Sequence, residues 1–533
     1  MIPRIVLVLC LSAAAWSQVA SGGKLADPSS PPPAVSSAAE SPLASARALF
    51  KKGNYQDAAG AFKAVVEKTP ESPEAQAGLI RSLLRAHKVD EAGEAGKKAV
   101  AAIGASDLVQ AAVGDVAFRA GKLGDAESAY RAAVKADANS ARGLYGMGRI
   151  YDTVSMHKRA RDVFARAHEL APDDDEIYEH WLELLTPAEQ LDNEKKRNGD
   201  HPSGREGERI KYLTAITQKK PWVMSSELKP MEMKMLPYGR QETGVYDIRR
   251  SGPVTISKGY GLQVKFNDRA SAVLLLDTGA GGITIGNKLA ERAGAVRIAE
   301  TRIGGIGDQG PVRSYVAWVD KINIGGLEFR NCTVIVSSKN NVADEAGLIG
   351  PDVFDKFLIT LDFHDWKMNL TPLPRSPTAP DDDMAAQDRY IAPEMQAFTK
   401  FYSFGHDLVV PVVVSDKAVA NFILDTGSEL NVMSPTIAAQ VTTASYDGDY
   451  EMKGVSGKVQ KVMTGKKAIL QFAKMRVESH DIPVFSTDSI SNSEGTEIAG
   501  LIGIRTLVQM KMTIDYRDGL VNLEVYQFKK AQE

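Results

Sequence analysis

The sequence predicts a multidomain chain: an all-α helical solenoid followed by an all-β half made of two lobes of like design. Three observations predict it. Between about residues 41 and 185 the chain is Ala-rich and repeats every 34 positions. From about residue 246 short apolar runs alternate with period two and are punctuated by glycine, the pattern of strands and hairpins. Within that second half, residues 346–370 and 499–523 align with each other without gaps.

The bulk numbers set the frame. A chain of 533 residues has room for three or four domains of ~150 residues each. With 44% hydrophobic and 25% charged residues it has the composition of a globular protein. A net charge of -3 gives no pointer to nucleic acid or an anionic membrane surface. The opening stretch, "MIPRIVLVLCLSAAAWSQVA", places Arg4 before an apolar run that gives way to the small residues Ala15, Ser17 and Ala20. That order reads as a secretory signal peptide over residues 1–20, so an exported protein, periplasmic or extracellular, is expected. An uncleaved anchor is the alternative, but the run is shorter than the ~20 residues a span requires. Cys10 lies in no lipid-attachment pattern. Without that segment Cys332 is the one remaining cysteine, so the domains must hold by core burial and not by disulfides. Residues 21–40, rich in Ser, Pro and Ala, read as a disordered spacer.

The helical region, residues 41–185, carries its repeat in three columns. Ala58, Ala92, Ala126 and Ala160 form the first; Phe62, Gly96, Tyr130 and Phe164 follow by four; Val65, Ala99, Ala133 and Ala167 follow by seven. Pro70 and Pro172 share one phase. Positions i, i+4 and i+7 fall on one helix face, where small residues admit a neighbouring helix and the aromatic fills the gap beside them. This pattern resembles tetratricopeptide repeats in four copies, the second degenerate because Gly96 replaces the aromatic and Gly104 the proline. A generic Ala-rich bundle is the bland alternative. Arrays of this kind present curved surfaces that bind peptides or protein segments, so a protein partner is expected there. Residues 186–245, charged and interrupted by Pro221, Pro230 and Pro237, read as a linker with one helix.

The β half is duplicated. "SAVLLLDTGAGGITI" aligns with "VANFILDTGSELNVM", and each apolar run ends in Asp-Thr-Gly. Each is followed far downstream by Gly-Leu-Ile-Gly, ending at Gly350 and Gly503. The units span 246–372 and 400–528, joined by a Pro-rich, acidic linker at 373–399. A carboxylate at the end of a buried strand is unfavourable unless something uses it. Paired Asp-Thr-Gly motifs with matched downstream glycines resemble the retropepsin-like aspartic peptidases, here in a pepsin-like two-lobed chain covering about half of the protein. The fold implied is an all-β bilobal acid-protease fold of two retropepsin-like β-barrels.

The resemblance implies a site. Hydrolysis without a metal or covalent intermediate needs a base for water and an acid for the carbonyl oxygen, and two carboxyls sharing one proton supply both; aspartic proteases are the standard instance. Asp277 and Asp425 would form that pair. Thr278 and Thr426 would hydrogen-bond across it, Gly279 and Gly427 would bend the loops and aim backbone donors, and Gly350 and Gly503 would support the loops from behind. Flap candidates are "IGGIGDQG", with Gly304, Gly305 and Gly307, and "KGVSGK", with Gly454 and Gly457; ordinary hairpin turns are the alternative. No flap tyrosine is assigned. Residues 305–310 also fit G-x-G-x-x-G, but Pro311 and a strand-like run follow where a dinucleotide site requires a helix. The two units differ: Ala280 faces Ser428, and Asp352 takes the place that Arg505 holds.

No cofactor or metal is expected. The eight histidines lack ligand spacing, and His364 and His406 read as surface or capped residues. The "DDD" at 381–383 reads as solvated linker, with calcium the minor alternative. The expected activity is that of an aspartic endopeptidase acting on peptide or protein substrates. The rival reading is a non-catalytic peptide-binding scaffold in which the repeats do the work. Pairing of the lobes between chains is compatible with the linker length.

Overall fold

The computed structural model describes residues 6–9, 41–200, 202–238, 242–247, 252–256, 259–337, 346–377, 387–446 and 451–526. Most of residues 1–20, read above as a signal peptide, all of 21–40, read as a spacer, and the acidic 381–383 stretch lie outside them. The chain divides into two compact units.

The helical unit begins with antiparallel pairs: Pro42–Lys51 with Tyr55–Lys68, Pro73–Arg85 with Val89–Ile103, Asp107–Arg119 with Leu123–Ala136, and Ala141–Thr153 with His157–Leu170, followed by Asp175–Glu183. Starts are written into the sequence. Ser41, Ser72 and Asp174 accept backbone N–H groups from the first turns of their helices, and proline opens the first two of these. The alanine column is fully buried. The aromatic column shows why glycines recur in the facing helices. A Cβ on Gly78 would lie 2.4 Å from the Phe62 ring, and one on Gly146 2.2 Å from Tyr130. Each aromatic therefore lies flat on glycine backbone, a packing no larger residue allows.

In the second unit each lobe closes a barrel of six strands. In the first, Val312–Ile324 pairs with Leu327–Ser337, then Ile283–Gly286, Gly347–Ile349, Ala270–Leu276, Gly259–Phe266 and back to Val312–Ile324. In the second, the circuit is Asp407–Val414, Ala418–Asp425, Gly500–Gly503, Val432–Met433, Met475–Val484, Met463–Phe472 and back. Closure removes the sheet edges that an open stack would expose.

A six-stranded sheet joins the lobes: Thr399–Lys400, Leu520–Val525, Met510–Asp515, Phe357–Asp362, Lys367–Pro372 and Met231–Lys234. Its centre reveals the duplication as symmetry. Thr360 pairs with Thr513, its own counterpart in the gap-free alignment, and their Oγ1 atoms are 3.1 Å apart. An approximate two-fold axis thus passes between them. Apolar residues of both lobes, such as Leu276, Ile359, Leu424 and Ile514, share one continuous core.

The region read as a linker is more structured than its composition suggests. It holds two helices, Pro187–Asn198 and Gly204–Gln218, and the strands Val223–Met224, Met231–Lys234 and Leu236–Tyr238, which join the lobe sheets. Thr186 and Glu189 form a reciprocal cap at the first helix. The buried pair Glu194 and Arg209, 3.5 Å apart, ties the two helices together. The helix Pro187–Asn198 is too polar to show an apolar stripe, Gly204–Gln218 buries, of its apolar residues, only Ile210, Leu213 and Ile216 along one side, and strands this short show no alternation. Among the described residues no helix is long and apolar enough to cross a membrane.

Candidate active site

Each acid arrives at the end of a buried strand. Asp277 follows Ala270–Leu276 and its N–H donates to Ile349 O at 3.0 Å. Asp425 ends Ala418–Asp425 and pairs in parallel register with Gly503. Neither acid is exposed to solvent. Both come from one chain, and their loops meet on the approximate two-fold.

The two threonines interlock. Thr278 N donates to Thr426 Oγ1 at 3.0 Å, and Thr426 N to Thr278 Oγ1 at 2.9 Å. Their hydroxyls donate onward, Thr278 to Leu424 O at 2.6 Å and Thr426 to Leu276 O at 2.8 Å. Four reciprocal bonds at one buried point leave no freedom for either loop to slide.

The glycines act as expected of close backbone approach. Gly279 N donates to Asp277 Oδ1 at 2.9 Å, and Gly427 N to Asp425 Oδ1 at 2.8 Å. Ser428 N adds a second bond to Asp425 Oδ1 at 3.1 Å. A Cβ on Gly427 would fall 2.3 Å from the Asp277 carboxyl carbon, so the first acid rests on the second loop. One on Gly350 would fall 2.1 Å from Ala280 O, and one on Gly503 2.4 Å from Leu430 O.

Oδ2 of Asp277 and Oδ2 of Asp425 are buried and receive no N–H or O–H from any other residue, and the two carboxyls are hydrogen-bonding partners of each other when one carries a proton. Burial first, then repulsion from Asp425, pushes Asp277 well above the usual carboxylate range. Burial pushes Asp425 up to about 6. They titrate as a pair.

The two glycine hairpins find each other. Gln309 N donates to Ser456 O at 2.9 Å, and Ser456 N to Ile306 O at 3.0 Å. A Cβ on Gly307 would strike Ser456 backbone at 2.3 Å, so these tips touch through main chain. Val455, between Gly454 and Gly457, is buried in a cluster with Ala280 and Leu348 of the first lobe. Gly304 has open space around it, and Gly305 lies in the same turn. A further strand, Val6–Leu9, runs parallel to Glu451–Gly454 of the second hairpin.

Residues 262–353 and 410–506 match the sequence model of the aspartyl protease family, and residues 43–107 and 112–175 that of the tetratricopeptide repeat. The protein carries tetratricopeptide repeats and a duplicated aspartyl-protease-like domain. Solved structures similar to the repeat region include a thermophilic tetratricopeptide-repeat protein of Thermus thermophilus, 24% identical over 33% of this chain and 90% of that one, TM-score 0.25. PilF of Pseudomonas aeruginosa is 15% identical over 34% of this chain and 84% of its own, TM-score 0.26. MamA is 20% identical over 33% and 95%, TM-score 0.21. The comparison with curated proteins finds no match.

Sequence reasoning missed part of the protease-domain site. His406 is capped and not on the surface: its side chain is 10% exposed and Nε2 lies 3.3 Å from Gly279 O, beside the first acid loop. Its neighbour Asp407 is buried too. The one available signal is positional. The alignment that matches Asp277 with Asp425 sets Lys258 and Gly259 against His406 and Asp407. His364, in contrast, is exposed and paired with Asp365. Among the described residues no group of three His, Cys, Asp or Glu is arranged to hold a metal ion.

Proposed function

We propose that this protein is an exported aspartic endopeptidase whose repeats recruit the substrate or a partner. The observation that carries the reading is the paired acid geometry. Two buried carboxyls meet on a two-fold, each with Oδ1 tied by loop amides and each within hydrogen-bonding reach of the other.

The chemistry follows. With one proton shared, the ionised carboxyl removes a proton from water as its oxygen attacks the scissile carbonyl carbon. The protonated carboxyl gives its proton to the carbonyl oxygen. Collapse of the tetrahedral diol returns one proton and protonates the departing amine, and the peptide C–N bond breaks. Activity requires the singly protonated pair. It falls in strong acid, where both carboxyls are protonated, and again where both ionise. Raised titration keeps the working form available into mildly acidic solution. The touching hairpins pack beside the first acid loop through Val455 and Ala280, and the second one pairs along its edge with the extended segment Val6–Leu9. A substrate in that posture would lie extended across the dyad.

The test uses the mature full-length chain on a broad peptide library over about pH 3 to 7. Expected is acid-favoured cleavage, blocked by a statine-type inhibitor and lowered at least ~10³-fold by Asp425→Asn with the fold intact. A library left uncut at every pH would hand the argument to the peptide-binding scaffold.

A further inference from the structure

Among the described residues the first acid loop has no ion pair of its own. In the second lobe Arg505 pairs with Glu429, which is buried. The aligned positions in the first lobe are Asp352 and Gly281. Gly281 has no side chain, and a residue of the other lobe occupies the room. A Cβ on Gly281 would sit 2.7 Å from His406 Nδ1 and 3.0 Å from its Cγ. The same ring places Nε2 3.3 Å from Gly279 O, and the Gly279 N–H is what holds Asp277 Oδ1.

The exchange is one-sided. Gly259, at the position matching Asp407, gives the first lobe no side chain to offer the second acid loop; a Cβ there would still be 3.9 Å from Thr426 O. Asp407 Oδ1 lies 3.4 Å from His406 Nε2 and has no hydrogen bond of its own. The titratable groups around this pair are Asp277, Asp425, Asp352, Glu494 and Tyr516, all acidic. Burial draws His406 down to about 4. Burial, then repulsion by Glu494, holds Asp407 well above the usual range. Both are therefore uncharged in mild acid. A neutral imidazole with its proton on Nε2 can donate to the Gly279 carbonyl.

We propose that His406 is a positioning residue: a donor lent by the second lobe that fixes the Gly279–Gly281 stretch and thereby aims Asp277. The inference rests on the peptidase reading above for its kinetic consequence, but not for its geometry.

Three full-length variants test it. His406→Leu removes the donor and should lower kcat roughly 10- to 100-fold, as small misplacements of a catalytic group do, with KM nearly unchanged. His406→Gln keeps an N–H donor and should recover most of that loss. Gly281→Ala pushes the ring out and should cost a similar factor alone, yet almost nothing more in the His406→Leu background. Wild-type kcat in His406→Leu, a Gln variant no better than Leu, or additive losses would each overturn the proposal. A wild-type protein that cuts nothing sinks the peptidase reading instead. The geometry is then judged by NMR titration of the His406 ring in the wild-type protein. A midpoint about 4, rising in Gly281→Ala, supports the contact; a midpoint near the ordinary ~6.5 overturns it.

Discussion

The two acid loops carry the same motif and are braced by different means. In the second lobe the support is local and is an ion pair. Arg505 pairs with Glu429, and Asn431 Oδ1 accepts Gly503 N at 2.9 Å and the Thr506 hydroxyl at 3.0 Å. In the first lobe Asp352 receives the Gly282 N–H at 2.9 and 3.0 Å through its two oxygens, and His406 reaches in from across the interface. Duplication supplied two equivalent acids, while the surroundings diverged into one self-sufficient loop and one dependent loop. The lesson is that symmetry at the reacting atoms does not require symmetry in what holds them.

The largest expected effect should ignore that divergence. Gly350→Ala and Gly503→Ala each drive a methyl into acid-loop backbone that cannot yield, at 2.1 Å from Ala280 O and 2.4 Å from Leu430 O. Each should cost about 3 kcal/mol or more. Chemical denaturation of the two variants measures this. A tolerant Gly350→Ala beside a crippled Gly503→Ala would show that the first loop is softer than its geometry indicates.

A smaller effect should expose the divergence. Arg505→Met strands the Glu429 carboxylate, which is 5% exposed. The loss should be about 1–3 kcal/mol, moderated because Arg505 itself is partly in solvent. Adding Glu429→Gln should restore most of it, since a neutral amide no longer needs the cation. If the single variant melts like wild type, the second loop does not depend on its ion pair.

How much of this was legible follows from where the information sits in the chain. The acids, threonines and glycines belong to short motifs whose neighbours in sequence are their neighbours in space, so Asp277 to Gly279 and Asp425 to Gly427 could be read directly. The glycine hairpins were legible as turns, but their contact through Gly307 and Ser456 was not, because nothing local specifies it. His406 was invisible for the same reason: its partner Gly279 is 127 residues away. The alignment marked the position as different without saying which way the ring points. The repeats announced themselves through a strict period, whereas Met231–Lys234 is a strand only because Lys367–Pro372 lies beside it.

The most delicate test separates the loops by pH. Burial raises Asp352 to about 6, against an ordinary 3.8. A carboxyl whose folded value is raised takes up protons on folding between those two values. Its contribution is therefore most favourable below about 4, and stability declines as pH rises to about 6. Asp352→Asn keeps an acceptor for Gly282 N–H and cannot ionise. It should match wild type near pH 4 and exceed it by about 1–2 kcal/mol near pH 7. The corresponding position in the second lobe holds no carboxyl, since Arg505 stands there. Paired melting curves across that range measure the difference. An Asp352→Asn protein that loses stability with pH as steeply as wild type would place the titrating brace elsewhere, with the buried Asp277 and Asp425 pair the first place to look, since burial raises both of those acids as well.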